Sequence, residues 1–311
     1  MVYYLLIFSK AAKKSQKLSG EPANHIPVSI IICARDEAEN LEKNLPLFLE
    51  QNYPEFEVIV VNDCSEDHSE DVLQRLSDKY PRLRVSTIKK DIKFTHGKKL
   101  ALTIGIKAAK YDTLLLSDAD CFPAGTDWIR YIIRNYSDNK EVVLGIGLYE
   151  KRKGLLNLLI RYEAAFIAMQ YTGMARIRKP YMGVGRNLSY KKELFFRNRG
   201  FASHLALESG DDDLFISEVS NALNTAVETH PDSFTFSAPE TSLRNWVLQK
   251  KRHLKTGKFY QQSVKSFLGT EYLSRALLII AFVALLINPE FFLLVLIVYI
   301  LNLFVKGIIY S

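Results

Sequence analysis

Four runs of apolar residues frame the first part of the chain: Val28-Ser29-Ile30-Ile31-Ile32-Cys33-Ala34, Phe56-Glu57-Val58-Ile59-Val60-Val61, Leu83-Arg84-Val85-Ser86-Thr87-Ile88 and Thr113 to Ser117. All but the third are nearly continuous, and such runs predict strands buried on both faces, as in a parallel sheet. Between them the spacing changes to that of a helix face. Leu41, Leu45, Phe48 and Leu49 form one stripe, Val72, Leu73 and Leu76 the next, and Gly97-Lys98-Lys99 opens a third helix. Strand and helix in alternation predict an α/β domain with a mostly parallel sheet and helices on both faces.

Further on the pattern coarsens. Gly154 to Met174 reads as one helix, and Arg161 and Glu163 interrupt its apolar positions, which predicts a core or membrane-surface helix. Ala276 to Ile287 is wholly apolar, Asn288-Pro289-Glu290 makes a turn, and Phe291 to Val305 is apolar apart from Asn302. These limbs lack a polar face for solvent. They predict membrane attachment over residues 267–310, as a hairpin of two helices or one kinked span. Lys265, Arg275 and Lys306 flank the outer ends, which places both ends of a hairpin, and the domain before it, in the cytoplasm. Val2 to Phe8 is apolar but too short to span a bilayer, and reads as a membrane-lying stretch or the remnant of a longer helix.

Composition adds little to this, but charge does. The net charge of +7 is concentrated in Lys10, Lys13, Lys14 and Lys17, and in Arg244 to Lys265, which holds seven cations and no acid. Local basic stretches suit an anionic ligand or a lipid surface and argue against a nucleic-acid face. Cys33, Cys64 and Cys121 have neither disulfide-rich nor zinc-ligand spacing, and read as free thiols in a reducing compartment.

In parallel α/β sheets, ligands bind beyond the carboxyl ends of the strands. Asp36, Asp63 and Asp118-Ala119-Asp120 all fall at such ends. On an extended tip, Asp118 and Asp120 point the same way and Ala119 the other. Two such carboxylates suit Mg²⁺ or Mn²⁺ that also binds phosphate oxygens. Asp120 is then the direct ligand, and Asp118 reaches a ribose or the metal through water. Asp63 can accept from a base or ribose, or can open an Asx-turn. Gly97-Lys98-Lys99 offers a close backbone approach and cations near phosphates, and taken by itself is a helix start.

Gly210-Asp211-Asp212-Asp213 opens a helix, where the macrodipole stabilises acids. Clustered like charges also raise one another's pKa, which suits a general base, with Asp212 first and Asp211 second. Gln249, Arg252 and His253 share a helix face and can grip a diphosphate from the side opposite the metal. His253 as a second metal ligand is the less favoured alternative.

Taken in order, Val28 to Glu37, Asp63-Cys64-Ser65, His96-Gly97-Lys98, Asp118-Ala119-Asp120, Gly210-Asp211-Asp212 and Gln249-Lys250-Lys251-Arg252-His253 resemble family 2 glycosyltransferases of the GT-A fold. The resemblance covers residues 26–262, after an N-terminal segment and linker of residues 1–25. It implies a GT-A, Rossmann-like sheet and an inverting transfer of a hexose-type sugar from a nucleotide sugar, UDP-linked, with a divalent metal bound at the DxD motif. Ala34, Asp36 and Asp63 would hold uracil and ribose, Lys98 the nucleotide, Asp118 and Asp120 the diphosphate and metal, and Asp212 the acceptor proton. Gly183, Gly185, Arg186 and Asn187 fall where the family places its acceptor-side loop.

The last motif resembles the QxxRW signature of membrane synthases in the form QxxRH, with His253 in place of the tryptophan. One or two spans are too few for a built-in polysaccharide channel. The expected acceptor is a lipid or cell-envelope glycan precursor, and the expected location the cell membrane. A metal-dependent nucleotidyltransferase and an inactive membrane scaffold of the same fold are the alternatives.

Overall fold

The computed structural model describes residues 7–11, 15, 17, 18, 25–89, 97–137, 139–207, 209–286 and 290–310. A single helical turn, α1 (Ser9–Ala11), precedes β1 (Val28–Ala34), α2 (Ala38–Leu49), β2 (Phe56–Asp63), α3 (Ser69–Lys79), β3 (Leu83–Ile88), α4 (Lys98–Ala108) and β4 (Thr113–Asp118). Then come β5 (Cys121–Pro123), α5 (Trp128–Ile133), β6 (Val142–Leu144), β7 (Gly147–Tyr149), α6 (Leu155–Arg176), β8 (Leu188–Lys191) and α7 (Lys192–Arg197). The remainder holds α8 (Asp213–Val219), β9 (Thr225–Val227), β10 (Thr235–Ser237), α9 (Leu243–Leu254), α10 (Gln262–Leu286) and α11 (Phe292–Tyr310).

The main sheet has the order β3-β2-β1-β4-β8-β6-β9. The first four strands are parallel, and β8 runs antiparallel to both its neighbours. The long apolar runs behave as read. Ile31, Ile59, Leu114 and Leu116 pack on one side with α4 and α6, while Ile30, Ile32, Val58, Val60 and Leu115 pack on the other with α2, α3 and α5. Each fully buried Ile, Val or Leu contributes roughly 1.5–3 kcal/mol, so this double-sided core anchors the strand ends that carry the site. Gly105 lets α4 lie close on β1, because a Cβ there would sit 2.6 Å from Ile31 Cγ2. That closeness brings the start of α4 to the carboxyl edge of the sheet.

A three-stranded sheet, β5-β10-β7, sits beyond β4, and Asn187 ties it to the main sheet. Asn187 is fully buried; it accepts from Trp128 Nε1 at 3.1 Å and donates to the Ile146 and Ser233 carbonyls. The apolar N-terminus departs from expectation. Residues 1–6 lie outside the described residues, but Ile7 and Phe8 are buried in the core, with Phe8 edge-on to Phe166 of α6. Arg176 donates to the Lys10 and Ala11 carbonyls, which holds this segment along α6. An apolar run reports that it must be covered, not by what; at Ile7 and Phe8 protein covers it.

Helix α10 begins at Gln262, earlier than the limb read from the sequence, and packs Val264, Phe267 and Leu268 on the core. Glu271 is buried and ion-paired with Arg275, which lies over the Phe166 ring, so both charges face the domain. Gln262–Leu285 is long and apolar enough to cross a membrane. Helix α11 packs back on α10, with Phe282 stacked on Tyr299.

Candidate active site

Cys33, Lys98, Asp118, Gly185, Asp211 and Asp212 line a cleft at the carboxyl edge of β1 and β4. Lys98, at the start of α4, is central to it. Its Nζ lies 2.7 Å from Asp118 Oδ1 and 3.3 Å from Asp211 Oδ2. Burial disfavours the ammonium, but Asp118, Asp211 and Asp212 outweigh it and hold its pKa well above the ordinary lysine value. Burial likewise raises Asp118, yet the charge and hydrogen bond of Lys98 bring it below the usual aspartate value.

The two carboxylates of the DxD come together by a turn rather than along an extended tip. β4 ends at Asp118, and Ala119 is buried with its carbonyl accepting from Asn44. Carboxylate oxygens of Asp118 and Asp120 and the Cys121 sulfur all lie within 4.8 Å of one another. Burial, then the Asp118 charge, raises the pKa of Asp120. Two facing carboxylates of which one is held back from ionising are a donor set that fits a hard divalent cation. Cys121 is a softer donor, and its thiol points to Asp120 Oδ1 at 3.4 Å.

Asp212 sits before α8 as its cap, accepting from Asp213 N at 2.7 Å. Its other oxygen accepts from Gly185 N at 2.7 Å. Gly185 approaches closely, and a Cβ there would meet Asp212 Oδ2 at 3.4 Å and Lys98 Nζ at 3.6 Å. Gly210 turns the chain with φ +100, a conformation that L side chains rarely adopt. Burial, then the charges of Asp211 and Asp213, pushes Asp212 up to about 7.

The remaining residues singled out in the sequence scatter. Ala34 is buried at the end of β1. Asp63 is buried at the end of β2, with Oδ1 lacking a hydrogen-bond partner among the described residues. Asp36 has φ 55, and its carboxylate accepts from Glu66 N at 2.7 Å, which joins the β1 and β2 ends. His96 lies outside the described residues.

Of the glycine-rich loop, Gly185 alone lines the cleft. Gly183 packs against Leu188 and Leu144, and Asn187 is committed to the core. The Arg186 guanidinium turns to Ser237 Oγ at 2.9 Å and lies over the Tyr149 ring. A buried amide and a guanidinium need partners; Trp128, Ile146 and Ser233 supply them for Asn187, and the second sheet for Arg186.

Arg252 and His253 are exposed on α9 at the rim, and Gln249 Oε1 is buried without a partner among the described residues. Desolvation by surrounding protein, then Lys250, Arg252, Arg186 and Lys98, pushes His253 down to about 4. Because the ring is exposed, the four cations are the firmer cause.

Two residues take roles other than those read from the sequence, Lys99 as a cation near phosphates and Asp213 as a helix-start acid. Lys99 Nζ donates to the carbonyls of His204, Leu207 and Ser209. Asp213 accepts from the Thr256 and Tyr260 hydroxyls, joining α8 to the chain just after α9. Neighbouring lysines and neighbouring aspartates are indistinguishable by type; only the helix geometry that fans them apart separates their roles.

A buried parallel sheet that ends in a carboxylate pair, a lysine and a raised aspartate agrees with the comparisons. The model of glycosyl transferase family 2 matches residues 29–198, more than half of the chain, and the chain belongs to that family. The poly-β-1,6-N-acetyl-D-glucosamine synthase of Staphylococcus epidermidis is 27% identical over 168 residues, 53% of this chain and 39% of that protein. The chain therefore aligns with about two fifths of that relative's length.

Among solved structures, a mannosyltransferase of Pyrobaculum calidifontis in complex with GDP-Man and Mn²⁺ superposes with TM-score 0.62 at 21% identity, over 81% of this chain and 68% of that one. Residues 1–349 of S. aureus TarS with UDP-GlcNAc give TM-score 0.50 at 19% identity, over 70% and 60%. Both share the GT-A fold.

Proposed function

We propose that the protein transfers a sugar from a nucleotide-diphosphate donor to a hydroxyl of a membrane-borne acceptor, with inversion, and that Asp212 is the base. The observation that carries this reading is the pairing of two unlike carboxylate sets across Lys98: Asp118 kept ionised, Asp212 brought to about 7.

Asp212 takes the proton from the acceptor hydroxyl. The freed oxygen pair bonds to the anomeric carbon from the face opposite the leaving diphosphate, and the bond from that carbon to the diphosphate oxygen breaks. The leaving nucleoside diphosphate keeps that electron pair, and Lys98 and Arg252 face its charge. Asp118 and Asp120 would hold a divalent cation, which when bound supplies charge neutralisation at the diphosphate. Asp63 Oδ1, buried without a partner among the described residues, suits an N–H of the nucleotide base, with Ala34 and Asp36 beside it at the edge of β1. UDP-sugars are the first donors to test, because a uracil N3–H would meet such an acceptor.

The membrane assignment draws on α10, and on an apolar face beside it. Leu155, Leu158, Leu159 and Tyr162 of α6 and Leu243, Val247, Leu248 and Leu254 of α9 are exposed, next to a stretch with seven cations and no acid. Lys250 pairs with Glu163 at 2.6 Å, so the two helices make one surface. With the cationic flanks facing the cytoplasm, the site would open to the cytoplasmic leaflet.

The test is the identity of the small product. Membranes holding the full chain are incubated with each common nucleotide sugar and Mn²⁺ or Mg²⁺. Nucleoside diphosphate release coupled to a glycosylated lipid is the expected result. Pyrophosphate release would point instead to nucleotidyl transfer, and no product from any donor would leave only a scaffold.

A further inference from the structure

Two adjacent lysines open α4, and the proposed chemistry uses only the first. Lys99 is buried, and its ammonium lies 2.6 Å from His204 O, 2.8 Å from Leu207 O and 2.8 Å from Ser209 O. An ammonium has three N–H groups, so main-chain carbonyls use them all. None is left for a carboxylate or a substrate. Burying an ammonium is unfavourable unless every donor is met, and an aliphatic side chain would fill the same space without that cost. What a lysine adds is three charge-assisted bonds to one stretch of backbone.

That stretch runs directly into Gly210, whose φ of +100 turns the chain into Asp211 and Asp212. On its far side the turn is held too, because the Asp213 carboxylate accepts from Thr256 and Tyr260. Helix α4 therefore holds the approach to the base at two points. Lys98 touches Asp211 directly, and Lys99 grips the backbone that leads to it.

We propose that Lys99 is a positioning residue for the transfer: by fixing the carbonyls of His204, Leu207 and Ser209 it keeps the Asp212 carboxylate on the Gly185 amide and on the acceptor hydroxyl. The inference rests on the glycosyltransferase reading of this site. A base displaced by about 1 Å can lose on the order of a hundredfold in rate while the donor still binds. Most donor contacts lie on β1, β2 and β4, strands to which the Lys99 ammonium makes no bond.

The test compares Lys99→Met and Lys99→Arg with the unaltered full chain, by steady-state kinetics and by amide exchange of the peptide covering residues 204–213. Lys99→Met is expected to lower kcat about a hundredfold with donor KM within about twofold, and to speed exchange in that peptide. Lys99→Arg keeps the charge and several N–H groups, but its planar fork cannot meet three converging carbonyls; it is expected to fall between the two in both readouts. Unchanged kcat or unchanged exchange in Lys99→Met overturns the proposal. So does an equal loss of kcat and donor affinity with a lowered Tm in both variants, which is the signature of a merely structural lysine. If Lys99→Met does not fold, Lys99→Arg decides alone: wild-type kcat and wild-type exchange in it count against the proposal. Absence of transfer by the unaltered protein would instead refute the glycosyltransferase reading, and the exchange comparison, which needs no activity, still judges the clamp.

Discussion

The two carboxylate clusters of the cleft are built in opposite ways. Asp118 ends a strand buried on both faces and has Lys98 at 2.7 Å, so it is held charged. Asp211, Asp212 and Asp213 crowd the start of a short helix, where burial and mutual repulsion bring Asp212 to about 7. The first arrangement suits a permanent partner of opposite charge. The second suits a proton that comes and goes near neutral pH. Sequence treats both as runs of aspartate; their environments hold one charged and bring the other to about 7, which is what the proposed roles of holder and base require.

The sharpest way to break this comparison is Asp212→Asn. It is expected to lower kcat about a thousandfold while donor and Mn²⁺ still raise Tm together. A mutant that keeps wild-type kcat removes Asp212 from the role and passes it to Asp211. Asp120→Asn should do the reverse. Mn²⁺-dependent donor binding, read by thermal shift, is expected to weaken by about a hundredfold, since a direct ligand is lost.

A smaller effect concerns pH. Log kcat is expected to rise with pH up to about 7 and level above it. In Asp213→Asn, which removes one like charge beside the base, the inflection should move to lower pH. Stability follows with the opposite sense. The folded state holds the Asp212 proton to a higher pH than the unfolded chain does, so between the ordinary carboxylate value and about 7 stability falls as pH rises. Asp212→Asn should therefore gain more in Tm at pH 8 than at pH 5, and an equal shift at both would contradict the raised pKa. The smallest effect belongs to His253. Pushed down to about 4, it is neutral at pH 7, so His253→Ala is expected to change donor KM by less than about threefold.

Much of the parallel half was legible because strands buried on both faces show as unbroken apolar runs, and β1, β2 and β4 fall where those runs lie. The short strands β5, β6, β7, β9 and β10 have three residues each, too few to show any period. Candidate chemistry at strand ends was readable, since Asp118 and Asp63 follow visible strands. Loop residues were not. Asn187 looks like a ligand residue in a glycine-rich loop, yet a buried amide surrounded by main-chain groups satisfies itself within the fold. Lys99 is misread for the reverse reason: beside Lys98 at a helix start it reads as a second cation near phosphates, whereas its ammonium is taken up by the carbonyls of His204, Leu207 and Ser209.

The segment at Ile7 and Phe8 has one more consequence, in time rather than space. Its cover is α6, where a Cβ at Gly173 would lie 2.5 Å from the Ile7 carbonyl and where Phe166 meets Phe8. On the ribosome these early apolar residues emerge long before the helix that hides them. Until α6 has been made, Ile7 and Phe8 lack this cover, and hiding them demands one of the longest-range contacts among the described residues. The nascent chain is therefore exposed to chaperones, or to the bilayer itself, well before its catalytic edge has formed.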